Sequence, residues 1–96
     1  MAVYLLEYSY VPDMLERRDP HRGAHLELIR AAHERGELVM AGALADPVDR
    51  GLLVWSVDDP AVVEAFVAED PYVSAGLVVS WAVRPWTLVV GAPAGS

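Results

Sequence analysis

The hydrophobic run Val3–Tyr10, with polar residues only at Glu7 and Ser9, predicts a strand. Ala2, Tyr4, Leu6, Tyr8 and Tyr10 share one face; Val3, Leu5, Glu7 and Ser9 share the other. Both faces are largely apolar. Val11-Pro12-Asp13 ends this strand, and Met14 to Arg18 reads as a charged connector or a short helical turn. From Asp19-Pro20 the period lengthens to about 3.6 residues, that of a helix. Arg22, His25, Leu26, Ile29, Ala32 and His33 then fall on one stripe, in a helix that runs to about Arg35. Asp19 suits the N-cap, Pro20 the first helical position and Gly36 the C-cap. Leu26, Ile29 and Ala32 are what a buried face contains. Arg22 and His25 are not, and a fold that turns them inward must pair them or use them.

The second half repeats the scheme. Glu37 to Leu44 is a second strand, and its interior Gly42 suggests a bulge or the close approach of another group. Ala45 to Arg50 is a turn, and Gly51 to Val57 is a third strand. Asp59-Pro60 opens a second helix, Ala61 to about Glu69, with Val62 or Val63, Phe66 and Val67 on its buried stripe. Asp70-Pro71-Tyr72 starts a short turn to Ala75, which Gly76 breaks. Leu77 to Arg84 is the fourth strand, Pro85-Trp86 interrupts it, Thr87 to Val90 is a short edge segment, and residues 91–96 are a frayed tail.

The order β-α-β-β-α-β is the split pattern of a ferredoxin-like α+β sandwich. Two helices cover only one face of a four-stranded sheet. Three of the four strands are nevertheless apolar on both faces, where a sheet with one wet face should alternate. A second copy of the chain, sheet against sheet about a two-fold axis, is the economical cover. A homodimer with a barrel-like core is therefore expected.

Composition narrows the function. Ninety-six residues, 54% hydrophobic and 22% charged, make one globular domain, with its core at about residues 2–90. No apolar run approaches the ~20 residues that span a bilayer, and the first residues lack the features of a signal peptide, so a cytoplasmic location is expected without membrane attachment. A net charge of −7 with no basic stripe argues against nucleic acid. With no cysteine, catalysis must fall to His, carboxylate, hydroxyl or Arg groups.

Among those groups His25 is the first candidate. It fits either a core histidine bonded to a carbonyl or a general acid/base held by a carboxylate. Asp70 is the carboxylate in reach, since both helices should lie on the same sheet face. It also fits a plain N-cap, as one of four Asp-Pro steps in the chain. Arg22, one turn before His25, suits a clamp on a substrate carboxylate or phenolate, or an ion pair with an acid such as Glu7. Tyr8, Tyr72 and Trp81 fit either a pocket for a flat ligand or ordinary core. Arg17 and Arg18 read as a solvated pair. His21 and His25 have a metal-compatible spacing but no evident third ligand, so neither a metal nor a cofactor is expected.

Arg22-Gly-Ala-His25-Leu26, Glu37-Leu38-Val39-Met40-Ala41-Gly42 and Asp70-Pro71-Tyr72, in that order and spacing, resemble the YciI-like family of YCII-related domains. The resemblance runs from about Tyr4 to Trp86. It implies a dimeric α+β barrel of ferredoxin-like protomers and a His-Asp pair in a pocket of each, carried here by His25 and Asp70. One relative is a dehydrochlorinase of a chlorinated hydroxyquinol, and the wider superfamily holds isomerases and monooxygenases. The segment Val11 to Arg18 departs from many members, near the expected pocket mouth. The resulting expectation is a cofactor-independent enzyme that moves a proton in an elimination or isomerisation of a small aromatic-derived or carbonyl metabolite. Its rivals are a ligand-binding protein without chemistry and a monooxygenase.

Overall fold

The computed structural model describes residues 2–91. Its elements follow the sequence pattern: β1 (Ala2–Tyr10), α1 (Met14–Arg17), α2 (Asp19–Glu34), β2 (Leu38–Ala43), β3 (Arg50–Val57), α3 (Ala61–Glu69), α4 (Pro71–Ser74) and β4 (Val78–Pro85). The four strands form one antiparallel sheet in the order β2-β3-β1-β4, the ferredoxin-like arrangement.

Helix ends carry much of the local logic. Gly36, at φ +79°, terminates α2 in a Schellman turn: its own amide bonds the His33 carbonyl, and the Glu37 amide bonds that of Ala32. Gly76, at φ +76°, ends α4 in the same way, through Val73 and Tyr72. The Asp59 carboxylate accepts from the Ala61 amide at 2.9 Å. Asp19 departs from expectation: it is the first helical residue, Arg18 holds the cap position, and no side chain caps α2. The chain enters α2 from α1 with little change of direction in its backbone angles, because Arg18 is itself in the helical region at φ −77°, ψ −24°.

The helix-side core contains Leu6 and Tyr8 of β1, Leu53 and Trp55 of β3, Leu38, Ala32, Val63, Phe66 and Val67. Of the alternatives at the start of α3, Val63 is the fully buried residue and Val62 packs at the margin. Two irregularities set which side chains face the helices. An extra residue, Val39, shifts the β2–β3 register between Leu38 and Met40, and another, Val79, shifts β1–β4 beside Tyr10. The bulge in β2 is thus at Val39 and not at Gly42, where a side-chain carbon would meet nothing within 4 Å.

The C-terminal end also differs from the sequence reading. β4 runs through Pro85, opposite Tyr4, which a proline tolerates as the last residue of an edge strand. Residues 87–90 form no strand; Trp86 donates its amide to the Val3 carbonyl at 2.8 Å. Beyond it, Leu88 and Val90 line a hollow with Val3 and Val54 on the sheet face opposite the helices. Part of the second apolar face is therefore covered by the chain's own segment 86–91. Of the expected tail, only Gly91 falls within the described residues.

Gly23 sits in the interior of α2, exposed, with open space where a Cβ would stand. Gly23→Ala is expected to stabilise the fold by about 0.5–1 kcal/mol, because alanine forgoes less backbone entropy in a helix. An unchanged or lower urea midpoint would contradict this.

Candidate functional site

The site is assembled where the first turns of α2, the start of α4 and the end of β1 converge. Asp70 leaves α3 in an extended conformation (ψ 118°) and caps α4, its Oδ1 accepting from the Tyr72 amide at 3.0 Å. That oxygen also receives the His25 Nδ1–H at 2.8 Å, while Oδ2 receives the Tyr8 hydroxyl at 2.8 Å. Asp70 is fully buried and His25 nearly so. The two roles that the sequence left open for Asp70, cap and imidazole partner, are filled at once by one carboxylate.

Tyr72 completes the hold on the imidazole. The Schellman turn at Gly76 places Leu77 with Tyr72 and Met14 in a small second core. On this platform the Tyr72 ring stacks on the His25 ring, centroids 3.7 Å apart and planes within 10°. A protonated imidazole on an aromatic face gains a cation–π attraction. Because Nδ1 is committed to Asp70, the remaining nitrogen, Nε2, is the one available to a ligand, and His25 lines a cavity of about 160 Å³. The carboxylate fixes the tautomer in which Nε2 carries the lone pair.

Apolar groups make up one wall of this cavity: Met14, Leu26, Ile29, Leu53 and the small residues of β2. Tyr10, Tyr72, Arg18 and Arg22 form the rest. Gly51 admits the Tyr10 ring, since a methyl group there would overlap its hydroxyl.

The structure brings together His25, Asp70, Tyr72 and Arg22, although Arg22 lies exposed at the rim and not inside the core. Tyr8 does not line the cavity. Its ring is buried in the helix-side core, and its hydroxyl is spent on Asp70. Trp81 stands opposite Tyr8 on the outermost strand, 43% exposed and away from the cavity. Glu7 pairs loosely with Arg50 (3.5 Å) and not with Arg22. His33 is exposed and bonds the Leu38 carbonyl at 2.8 Å. Of the two arginines read as solvated, Arg17 is exposed and lies 3.4 Å from Asp13, but Arg18 lines the cavity. The signal for Arg18 was its i, i+4 spacing to Arg22, obscured by reading Asp19-Pro20 as an abrupt helix start.

Electrostatics follow burial. Desolvation raises the Tyr8 phenol far above its ordinary range, with the Asp70 charge and hydrogen bond adding to it. Tyr10 is pushed up to about 12, first by burial and then by Tyr72 and Asp70, against the opposing Arg18 charge. Burial also raises Tyr72, while Arg18 and Arg22 pull it back. A phenol whose folded pKa exceeds its unfolded value of 10.0 contributes stability that is complete below about pH 10 and is lost as pH rises through about 12. Stability is therefore expected to fall over that interval, and less steeply in Tyr10→Phe. Identical alkaline unfolding curves for the two proteins would show that Tyr10 plays no part.

A family model for the YCII-related domain matches residues 1–87. Protein YciI of Escherichia coli O6:H1 is 28% identical over 91% of this chain and 98% of its own, as is that of Shigella flexneri. Among solved structures, the 5-chloro-2-hydroxyhydroquinone dehydrochlorinase of Burkholderia phenoliruptrix, in complex with 2,5-dihydroxybenzoquinone, superposes with a TM-score of 0.74 at 20% identity, covering 88% of this chain and 93% of that one. An antibiotic biosynthesis monooxygenase (TM-score 0.58, 14% identity, 94% and 100% covered) and a NIPSNAP family protein of Agrobacterium tumefaciens (0.56, 22%, 90% of each) share the fold.

Proposed function

Because the chain belongs to the YCII-related domain family, we propose that it is a cofactor-independent enzyme of small aromatic-derived or carbonyl metabolites, with His25 as general base and acid. The observation that carries this reading is the buried Asp70–His25 pair, with Nδ1 engaged by Asp70 and His25 lining a cavity. Nε2 takes a proton from a carbon next to a carbonyl, leaving an enolate. The enolate then expels a leaving group on the neighbouring carbon, or regains the proton at another position. Asp70 stabilises the imidazolium formed, and Tyr72 keeps its plane fixed. The similarity in fold to a dehydrochlorinase that binds a dihydroxybenzoquinone supports a small, flat substrate.

The test is proton exchange in D₂O, followed by NMR, across a panel of small ketones, quinols and unsaturated acids. Site-specific deuterium incorporation or elimination is expected with at least one compound, and its loss in His25→Asn. Saturable binding with no exchange anywhere in the panel would replace the enzyme by a ligand-binding protein.

The reading includes a two-fold homodimer through the second sheet face. Segment 86–91 leaves Leu5, Met40, Leu44, Leu52 and Val54 around an open apolar hollow, with Met40 62% exposed. Sedimentation is expected to give twice the 10.4 kDa chain mass. Leu52→Glu, which puts a charge in that hollow, should shift the mass to one chain. A wild-type protein that sediments as a monomer at micromolar concentration rules the dimer out.

A further inference from the structure

The cavity beside His25 has an unusual charge balance for this chain. The protein as a whole carries −7, yet the cavity is lined by two arginines, Arg18 and Arg22, and by no aspartate or glutamate. Among the described residues, neither arginine takes part in an ion pair; Arg17, Arg35 and Arg50 do, and Arg30 and Arg84, outside the cavity, do not. The Asp70 carboxylate does not line the cavity and is engaged by His25, Tyr8 and the Tyr72 amide. Two guanidiniums stand four residues apart at the junction of α1 and α2, with His25 three residues further on, so all three project towards the same opening. Arg18 is half-buried and Arg22 exposed, and both line the same cavity as the apolar Met14, Ile29 and Leu53.

We propose that this cavity selects small organic carboxylates, whose carboxylate is held jointly by Arg18 and Arg22 while the apolar wall takes the body of the molecule. The assignment rests on the acid–base reading above and names its substrate class. A planar carboxylate matches the fork of a guanidinium, and two such forks share one anion without a metal. Inorganic phosphate is the poorer fit. It has no apolar part to set against the wall, and Pro20 removes one of the helix amides that would otherwise bind it. Arg18 is a specificity-determining residue in this scheme. Anchored through its carboxylate, an acid of single-ring size is brought against His25, where a ketone or quinone carbonyl elsewhere in the molecule acidifies the carbon beside it.

The experiment measures binding without turnover. Benzoate, benzamide and inorganic phosphate are titrated calorimetrically into the wild-type protein and into His25→Asn, and then into Arg18→Gln, Arg22→Gln and Arg30→Gln. Arg30 lies on the same helix, exposed and outside the cavity, and controls for overall charge. Benzoate should bind the wild type and His25→Asn, weaken about tenfold or more in each of Arg18→Gln and Arg22→Gln, and be unchanged in Arg30→Gln. Benzamide, the same shape without the charge, should bind at least about tenfold more weakly. The proposal is overturned if benzoate shows no saturable binding, if benzamide binds as well, if Arg18→Gln binds normally, or if phosphate binds more tightly than benzoate. Each of those results leaves the D₂O exchange test of His25 standing. Conversely, benzoate binding with no exchange on any compound removes the enzyme and keeps the carboxylate site.

Discussion

Asp70→Ala is expected to lose about 3–5 kcal/mol of folding stability, a large part of the ~5–15 kcal/mol that holds a domain of this kind together. The carboxylate satisfies three buried donors: the Tyr8 hydroxyl, the His25 ring N–H and the Tyr72 amide. Each donor left unpaired costs about 1–3 kcal/mol, and the loss of the α4 cap is included in the Tyr72 share. The sum is not additive, since water entering from the adjacent cavity relieves His25 in part. Tyr8 has no such relief, because its ring is sealed under the helices. Asp70→Asn separates structure from chemistry. The amide oxygen still accepts from Tyr72 and His25, and its NH₂ donates to the Tyr8 oxygen, so the fold should lose no more than about 1–2 kcal/mol. A neutral amide cannot stabilise an imidazolium, so turnover should fall by about 10²–10⁴-fold. Urea denaturation of both variants, alongside the exchange assay, gives the comparison. Asp70→Ala as stable as the wild type would mean that the network around it carries little of the fold.

The second large effect concerns His25. Asn places its NH₂ where the imidazole has Nδ1–H, so His25→Asn keeps the donor to Asp70 and removes only the Nε2 side. Turnover should drop by about 10²–10⁴-fold, the usual share of a general acid/base, while stability changes by about 1 kcal/mol through loss of stacking on Tyr72. An exchange rate equal to that of the wild type would end the catalytic reading of the site, whatever binds there.

The pattern of the chain was sufficient for the βαββαβ order, and for good reason. Period, caps and breakers act within a few residues of one another, as Gly36 and Gly76 show at the ends of their helices. Asp70 was legible as a cap for the same reason. Its partnership with His25 was expected from topology and family resemblance together, because both helices had to lie on one sheet face.

Only the tertiary structure decided the rest. That the Tyr8 hydroxyl ends on Asp70, 62 residues away, depends on how the helices dock on the sheet. The extra residues at Val39 and Val79, which composition does not reveal, set which side chains of β2 and β4 face the helices. Trp81 fitted either a pocket or ordinary core in the sequence, because strand alternation names a face and not what stands over it; on an outer strand that face is half open. Arg18 looked like a solvated charge because its neighbours are charged. Its helical backbone angles, continuous with α2, are what carry its side chain into the cavity beside Arg22. Local propensity is written over a handful of neighbours, whereas the meeting of two side chains is settled by register and packing across the whole sheet.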